Sequence, residues 1–167
     1  MELAQMKEKL KIALSEERYA HSVGVMECAS WLAGLYGADV KKAEVAGLVH
    51  DCAKELEKPV AKEYLKKLSL DDVILQNKGL WHGPVGTIVA REEYGVTDEE
   101  TLDAIYYHTI GRSKISLLSK IVYMADMLEI NRDKEFSWVP AVRKKAERDL
   151  DGALMEIIDH TLRSILD

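Results

Sequence analysis

Residues 43–54 read Ala43-Glu44-Val45-Ala46-Gly47-Leu48-Val49-His50-Asp51-Cys52-Ala53-Lys54. Ala43, Ala46, Val49 and Ala53 recur at helical spacing, which predicts a helix with a small-residue face packed against its neighbours. The pair His50-Asp51 falls in the C-terminal half of that helix. Adjacent helical residues do not face each other, but both lean toward an ion lying over the groove between them. Lys54, three residues past Asp51 and four past His50, rises from the same side one turn later. An imidazole and a carboxylate suit a borderline divalent metal, and a lysine beside them suits a phosphate bound to it. The bland alternative is a chance dipeptide on a solvated turn, and a short motif alone does not displace it. The rest of the chain decides.

A chain of 167 residues is expected to form one domain with a single core. Hydrophobic residues make up 47% and charged residues 31%, the balance of an ordinary globular protein. The net charge of −6 argues against a nucleic-acid polymer as partner, which would call for a basic face. Anionic small molecules stay open, because a metal and a few placed cations overcome a mildly acidic surface. Lys7, Glu8, Lys9 and Lys11 interrupt the N-terminus, so no signal peptide is expected. No apolar run approaches membrane-spanning length. With Cys28 and Cys52 as the two cysteines, no disulfide framework is expected, and the natural setting is a reducing cytoplasm.

From the central stretch outward, every segment reads as helix. Residues 3–14 are amphipathic. Ser15 with Glu16 and Glu17 starts a helix running to Tyr36, where Gly37 stops it. Leu14, Arg18, His21, Val25, Cys28, Leu32 and Leu35 share a face, so His21 points at the core. Asp39 caps the central helix, 40–54. Two shorter helices follow at 58–67 and 70–77, the second capped by Ser69. In Trp81-His82-Gly83-Pro84, Pro84 suits the first position of a helix to Tyr94, leaving His82 and Gly83 where free amides favour an anion. Asp98 caps the next helix, with Ala104, Ile105 and His108 on one side and Thr109 in the turn beyond. Residues 114–130 form the most apolar helix, with Leu118, Val122, Ala125 and Asp126 along one flank. A carboxylate there is costly unless paired or ligating. Ser137 with Pro140 opens a helix to Asp149, and 152–166 form the last. Its stripe of Leu154, Ile157, Ile158, Leu162 and Ile165 faces the core or a second copy, with His160 off the stripe and exposed. The fold class is all-α.

Four of the five histidines and two carboxylates thus fall on inward or terminal positions of five helices. Singly, each has a packing explanation. His21, His50, Asp51, His82, His108 and Asp126 together point to a buried metal cluster. The absence of thiolates points away from structural zinc and toward iron, manganese, cobalt or zinc in an open site.

The order His…His-Asp…His…His…Asp resembles the HD-domain superfamily of metal-dependent phosphohydrolases. The likeness is closer to its YqeK-type branch of symmetrical diadenosine tetraphosphate (Ap4A) hydrolases. Arg18-Tyr19-Ala20-His21-Ser22, Ala46 to Lys54, Trp81 to Gly86, Ala104 to Gly111 and Tyr123 to Arg132 carry it, across residues 18–132. The resemblance implies an all-α HD-domain helical bundle over residues 1–167, with C-terminal helices in 137–166. It implies a homodimer, an iron-type centre of one or two ions, and cleavage of Ap4A at its middle into two ADP. It makes His21, His50, Asp51 and Asp126 metal ligands. His82 and His108 then complete a second metal site or contact phosphate. Asp51, Lys54, His82 and His108 become catalytic candidates. Lys54, Gly83, Thr109, Arg132 and, more weakly, Arg18 become nucleotide contacts beside His21, His82, His108 and Asp126. The same ligand order also admits a phosphohydrolase acting on a nucleoside triphosphate or guanine alarmone, a di-iron oxygenase, or a non-enzymatic nucleotide sensor. Lys54 and the anion-ready turn at His82 disfavour the oxygenase.

Overall fold

The computed structural model describes residues 1–166, and every regular element among them is helical. In order these are α1 (Leu3–Ala13), α2 (Glu16–Tyr36), α3 (Val40–Val49), α4 (Lys58–Leu65) and α5 (Asp72–Gln76). They are followed by α6 (His82–Tyr94), α7 (Glu99–Tyr107), α8 (Leu117–Leu128), α9 (Val139–Ala146) and α10 (Leu150–Leu166). Short 3₁₀ turns occupy Lys78–Leu80 and Ile130–Lys134. No helix among the described residues is long and apolar enough to cross a membrane.

Side-chain caps set the entries of the main helices. Ser15 accepts from the Arg18 amide, Asp39 from Lys42, Asp98 from Thr101 and Ser116 from Ser119. Gly37 ends α2 in the left-handed region at φ 71°. The long helix α2 packs along α3 and α8, and α7 packs on α3, α6 and α8. Val25, Ala29 and Leu32 of α2, Ala43, Ala46 and Val49 of α3, Ile105 of α7, and Ile121, Val122 and Ala125 of α8 are all fully buried between them. Truncating Leu32 or Ile121 to alanine in such a core costs about 2–5 kcal/mol. The α9–α10 pair closes the far side of α8 through Val142, Ala146, Ala153 and Ile157.

Several boundaries differ from the expectations. The central helix stops at Val49 rather than residue 54. The His50 imidazole donates to the Gly47 carbonyl at 2.8 Å, and that carbonyl is the acceptor an α-helix would offer to the Asp51 amide. From there the chain runs in i→i−3 turns, Cys52 to Val49 and Lys54 to Asp51. The second short helix is Asp72–Gln76, entered from Asp71 rather than Ser69. Helix α6 begins at His82, with Pro84 still inside the first turn, where a missing N–H costs nothing. Helix α8 is shorter than 114–130, because Lys114 has φ 58° and Ser116 is the cap. Helix α9 covers less than 137–149, and α10 starts at Leu150. Leu35 turns outward, 49% exposed. On α10 only Ile157 of the expected stripe is fully buried, while Leu162 and Ile165 are exposed. His160 is half-buried rather than exposed, because its ring stacks flat on Trp138 at 4.3 Å.

Candidate metal centre

The C-terminal ends of α3, α7 and α8, the first third of α2 and the start of α6 converge on one point. His21 enters from α2, His50 and Asp51 from the turn after α3, His82 from the start of α6, His108 from the end of α7 and Asp126 from α8. The four imidazoles form a chain in which each ring neighbours the next. Centroids are 5.3 Å apart for His21 and His50, 4.9 Å for His50 and His108, and 4.9 Å for His108 and His82. Asp51 divides its two oxygens between the halves of this chain. Oδ2 lies 3.6 Å from His50 Nε2 and 4.0 Å from His21 Nε2. Oδ1 lies 3.3 Å from His82 Nε2 and 3.5 Å from His108 Nε2.

Three of the rings are oriented through Nδ1. His50 Nδ1 donates to the Gly47 carbonyl at 2.8 Å, and His108 Nδ1 donates to the Ile105 carbonyl at 2.6 Å. The same device, a histidine bonding back to the carbonyl three residues earlier, ends both α3 and α7. His21 Nδ1 pairs with Glu129 Oε1 at 3.1 Å. Each bond commits Nδ1–H outward and turns Nε2 inward. His50 Nε2 is buried and hydrogen-bonds to nothing among the described residues. His21 Nε2 lies 3.0 Å from Asp126 Oδ1 and His50 Nε2 3.9 Å from it. The unpartnered His50 nitrogen, buried beside two carboxylates, is costly as it stands, and a divalent cation satisfies all three groups. The donor set therefore fits a metal. Ligand atoms of His21, His50 and Asp126 lie within 4.8 Å of one another, as do those of His50, Asp51 and His108. His50 belongs to both groups. Burial of both thiols fits neither as a ligand: Cys52 Sγ donates to the Gly86 carbonyl, and Cys28 is pushed up to about 12.

Protonation follows from the same geometry. Burial pushes His50 down to about 4, and burial with the nearby His108 pushes His82 down to about 3, so both rings are neutral at neutral pH. Burial also works against a charged His21, but its bonds to Asp126 and Glu129 outweigh that and raise it to about 9. For Asp126, burial opposes ionisation, yet the His21 hydrogen bond and the neighbouring imidazoles hold the carboxyl below the usual range. Burial likewise opposes ionisation of Asp51, yet the His50 and His108 imidazoles beside it hold its carboxyl well below the usual range.

Cations ring the cluster. Arg18 Nη1 donates to Asp51 Oδ2 at 2.9 Å. Arg132 holds Asp126 twice, Nη2 to Oδ1 and Nε to the carbonyl, each at 3.1 Å. Lys54 is exposed and brings Nζ to 3.3 and 3.4 Å from the two ring nitrogens of His82. Because His108 Nδ1–H is committed to Ile105, its Nε2 accepts, and His82 Nε2–H is the donor across the 3.1 Å contact between the two rings. Gly83 is buried against α7, where a Cβ would lie 2.7 Å from the Tyr106 carbonyl, so close helix packing accounts for the glycine. Thr109 Oγ1 is buried nearby without a partner among the described residues.

One residue escaped the sequence reading. Glu129 is 1% exposed, takes His21 Nδ1–H on one oxygen, and accepts from the Asn131 amide and side chain on the other. The signal was present in the spacing, since a glutamate one turn past Asp126 on an apolar helix returns to the same flank.

The comparisons agree with this geometry. The HD domain family matches residues 18–131. A Halalkalibacterium halodurans protein named symmetrical bis(5'-nucleosyl)-tetraphosphatase is 44% identical over 158 residues, 94% of this chain and 83% of that protein. A Bacillus subtilis protein of the same name is 46% identical, covering 92% of this chain and 82% of its own length. A solved structure from Clostridium acetobutylicum, described as a predicted HD superfamily hydrolase involved in NAD metabolism, superposes with a TM-score of 0.93. It is 42% identical and covers 100% of this chain and 88% of that one. The chain therefore belongs to the HD domain family, within the branch that holds the symmetrical bis(5'-nucleosyl)-tetraphosphatases.

Proposed function

We propose that this protein hydrolyses dinucleoside tetraphosphates at the middle of the phosphate chain, Ap4A giving two ADP. The observation that carries this reading is the convergence of His21 Nε2 and the buried, partnerless His50 Nε2 on Asp51 and Asp126, ringed by Arg18, Lys54 and Arg132. Relatives that share 44% and 46% of its residues are named for that reaction.

In this reading His21, His50, Asp51 and Asp126 would hold a divalent ion. Its chemistry is Lewis acidity and a bound water acidic enough to ionise near neutral pH. The ligand set of nitrogen and oxygen without thiolate supports iron, with manganese, cobalt and zinc as alternatives. His108 and Asp51 would be the ligands available to a second ion. Lys54, with Arg18 and Arg132, binds and orients the phosphate chain and meets charge developing on the phosphoryl oxygens. His82, neutral and with Nε2–H as donor, holds a proton beside the reacting phosphate. ADP leaves as a stable anion, so no strong general acid is needed. The exposed Leu162, Ile165 and Leu166 of α10 support pairing of two copies.

The test is product analysis. Metal-loaded protein with Ap4A is expected to give ADP alone. ATP with AMP would place the cut elsewhere, and no turnover with tight ADP binding would favour a nucleotide sensor.

A further inference from the structure

The chain of four rings has a hollow at each end. A cleft of about 340 Å³ opens at His21, between Arg18 and Arg132. At the other end a cavity of about 200 Å³ opens directly against His82 and Lys54. The cleft belongs with the phosphate-binding arginines already described, whereas the cavity has no role so far. Its walls are Ala53, Leu56, Ala61 and the indole of Trp81, and its rim carries Lys54 and Lys78. Trp81 is tethered in place, its Nε1–H donating to the Ile74 carbonyl at 3.0 Å and the Leu75 carbonyl at 3.2 Å.

We propose that this second cavity seats one of the two nucleoside ends of the substrate, with the other end lying past His21. The inference rests on the proposed symmetrical hydrolysis and deepens it. A substrate with two identical ends, cut at its middle, leaves a nucleoside diphosphate on each side of the scissile bond. The protein must therefore accept a base on both flanks at matching distances, and a hollow stands at each end of the ring chain. An apolar cavity of about 150 Å³ takes up benzene, so about 200 Å³ with an aromatic wall suits the larger, flat face of a purine. Lys54 and Lys78 on the rim lie where the phosphates of that half would leave the cavity. Anchoring at both ends sets the register of the phosphate chain over the metal ligands, and so selects the middle anhydride.

Filling the cavity without touching the cluster tests this. Gly79 lines the cavity at an exposed position, where a Cβ would meet only Asn77 Oδ1 at 3.2 Å, so Gly79→Phe adds a ring at the cavity's edge with a small adjustment of Asn77. Ala61→Leu narrows the cavity from the side formed by α4. Equilibrium dialysis of metal-loaded protein against ADP is expected to find two ADP per chain in the parent and one in Gly79→Phe. KM for Ap4A should rise roughly tenfold in both variants, as expected for loss of one stacked base. A parent that cleaves Ap4A to ADP yet binds a single ADP per chain overturns the second pocket alone. So do two folded variants that keep two ADP per chain and the parent KM. A parent that neither binds ADP nor turns over Ap4A overturns the proposed activity, and the pocket with it.

Discussion

Glu129 holds His21. The 3.1 Å contact between Glu129 Oε1 and His21 Nδ1 is buried at both ends, and Asn131 fixes the other carboxylate oxygen at 2.8 and 2.9 Å. The pair sets the imidazole so that Nε2 meets Asp126. Removing such an outer partner typically lowers metal affinity by about 10–100-fold. Glu129→Ala should fall in that range, and Glu129→Gln, which keeps an acceptor without the charge, should lose less. Gly24→Ala should mimic the loss, because its Cβ would collide with Glu129 Oε2. Competition against a calibrated chelator measures this, and unchanged affinity in Glu129→Ala would show that the contact does not orient a ligand.

Metal and proton compete for His21. In the metal-free protein the ring is raised from 6.5 to about 9 by Asp126 and Glu129 against the opposing effect of burial, so it is protonated at neutral pH. A metal takes only the neutral imidazole. Metal uptake at neutral pH should therefore release a proton, and affinity should climb as pH rises toward 9. The metal-free fold should behave in the opposite sense. A raised folded pKa contributes stability that is complete below 6.5 and disappears as pH rises through 9. Titration calorimetry in buffers of different ionisation enthalpy reads the proton, and an uptake independent of buffer would contradict the assignment.

Lys54 separates phosphate chemistry from ligand support. Its Nζ touches His82 rather than a carboxylate. Lys54→Met keeps most of the stem's packing and removes the cation. Metal content and Tm should hold while kcat/KM for Ap4A drops roughly 10²–10³-fold, the usual cost of one group that meets developing charge. Loss of the metal instead would make Lys54 a support of the ligand shell.

The outer face of α10 predicts self-association. Leu162, Ile165 and Leu166 are 54%, 72% and 84% exposed on one helix. Light scattering at micromolar concentration should give a dimer mass, and Leu162→Glu with Ile165→Glu should shift it to the monomer. A monomeric parent would refute the pairing.

The helical class and most helix entries were legible because capping residues and 3.6-residue periodicity are local signals. Ser15, Asp39 and Asp98 cap where the spacing placed them. The end of α3 was not, because it depends on where the His50 side chain turns, and a sequence does not show a side chain taking a backbone carbonyl from its own helix. The six cluster residues were legible as inward positions, and the structure brings their ligand atoms together. Gly83 was read as an anion contact, whereas the approach of α7 gives it a packing reason that only the assembled bundle reveals. His160 looked exposed because its partner Trp138 lies across the α9–α10 turn and shares no periodicity with it. Glu129 was missed because a lone glutamate reads as a surface residue until its ring partner, 108 residues earlier, is placed beside it.

The central claim is that the cluster of His21, His50, Asp51 and Asp126 performs the hydrolysis through a bound metal. Reconstitution tests it most directly. The protein, stripped by chelator and verified by elemental analysis, is titrated with ferrous ion while ADP formation from Ap4A is followed. The account predicts no turnover in the stripped protein, recovery that saturates at a stoichiometric metal load, and no recovery in His50→Ala or Asp126→Ala. Full hydrolysis of Ap4A by verified metal-free protein, or by His50→Ala, would contradict it.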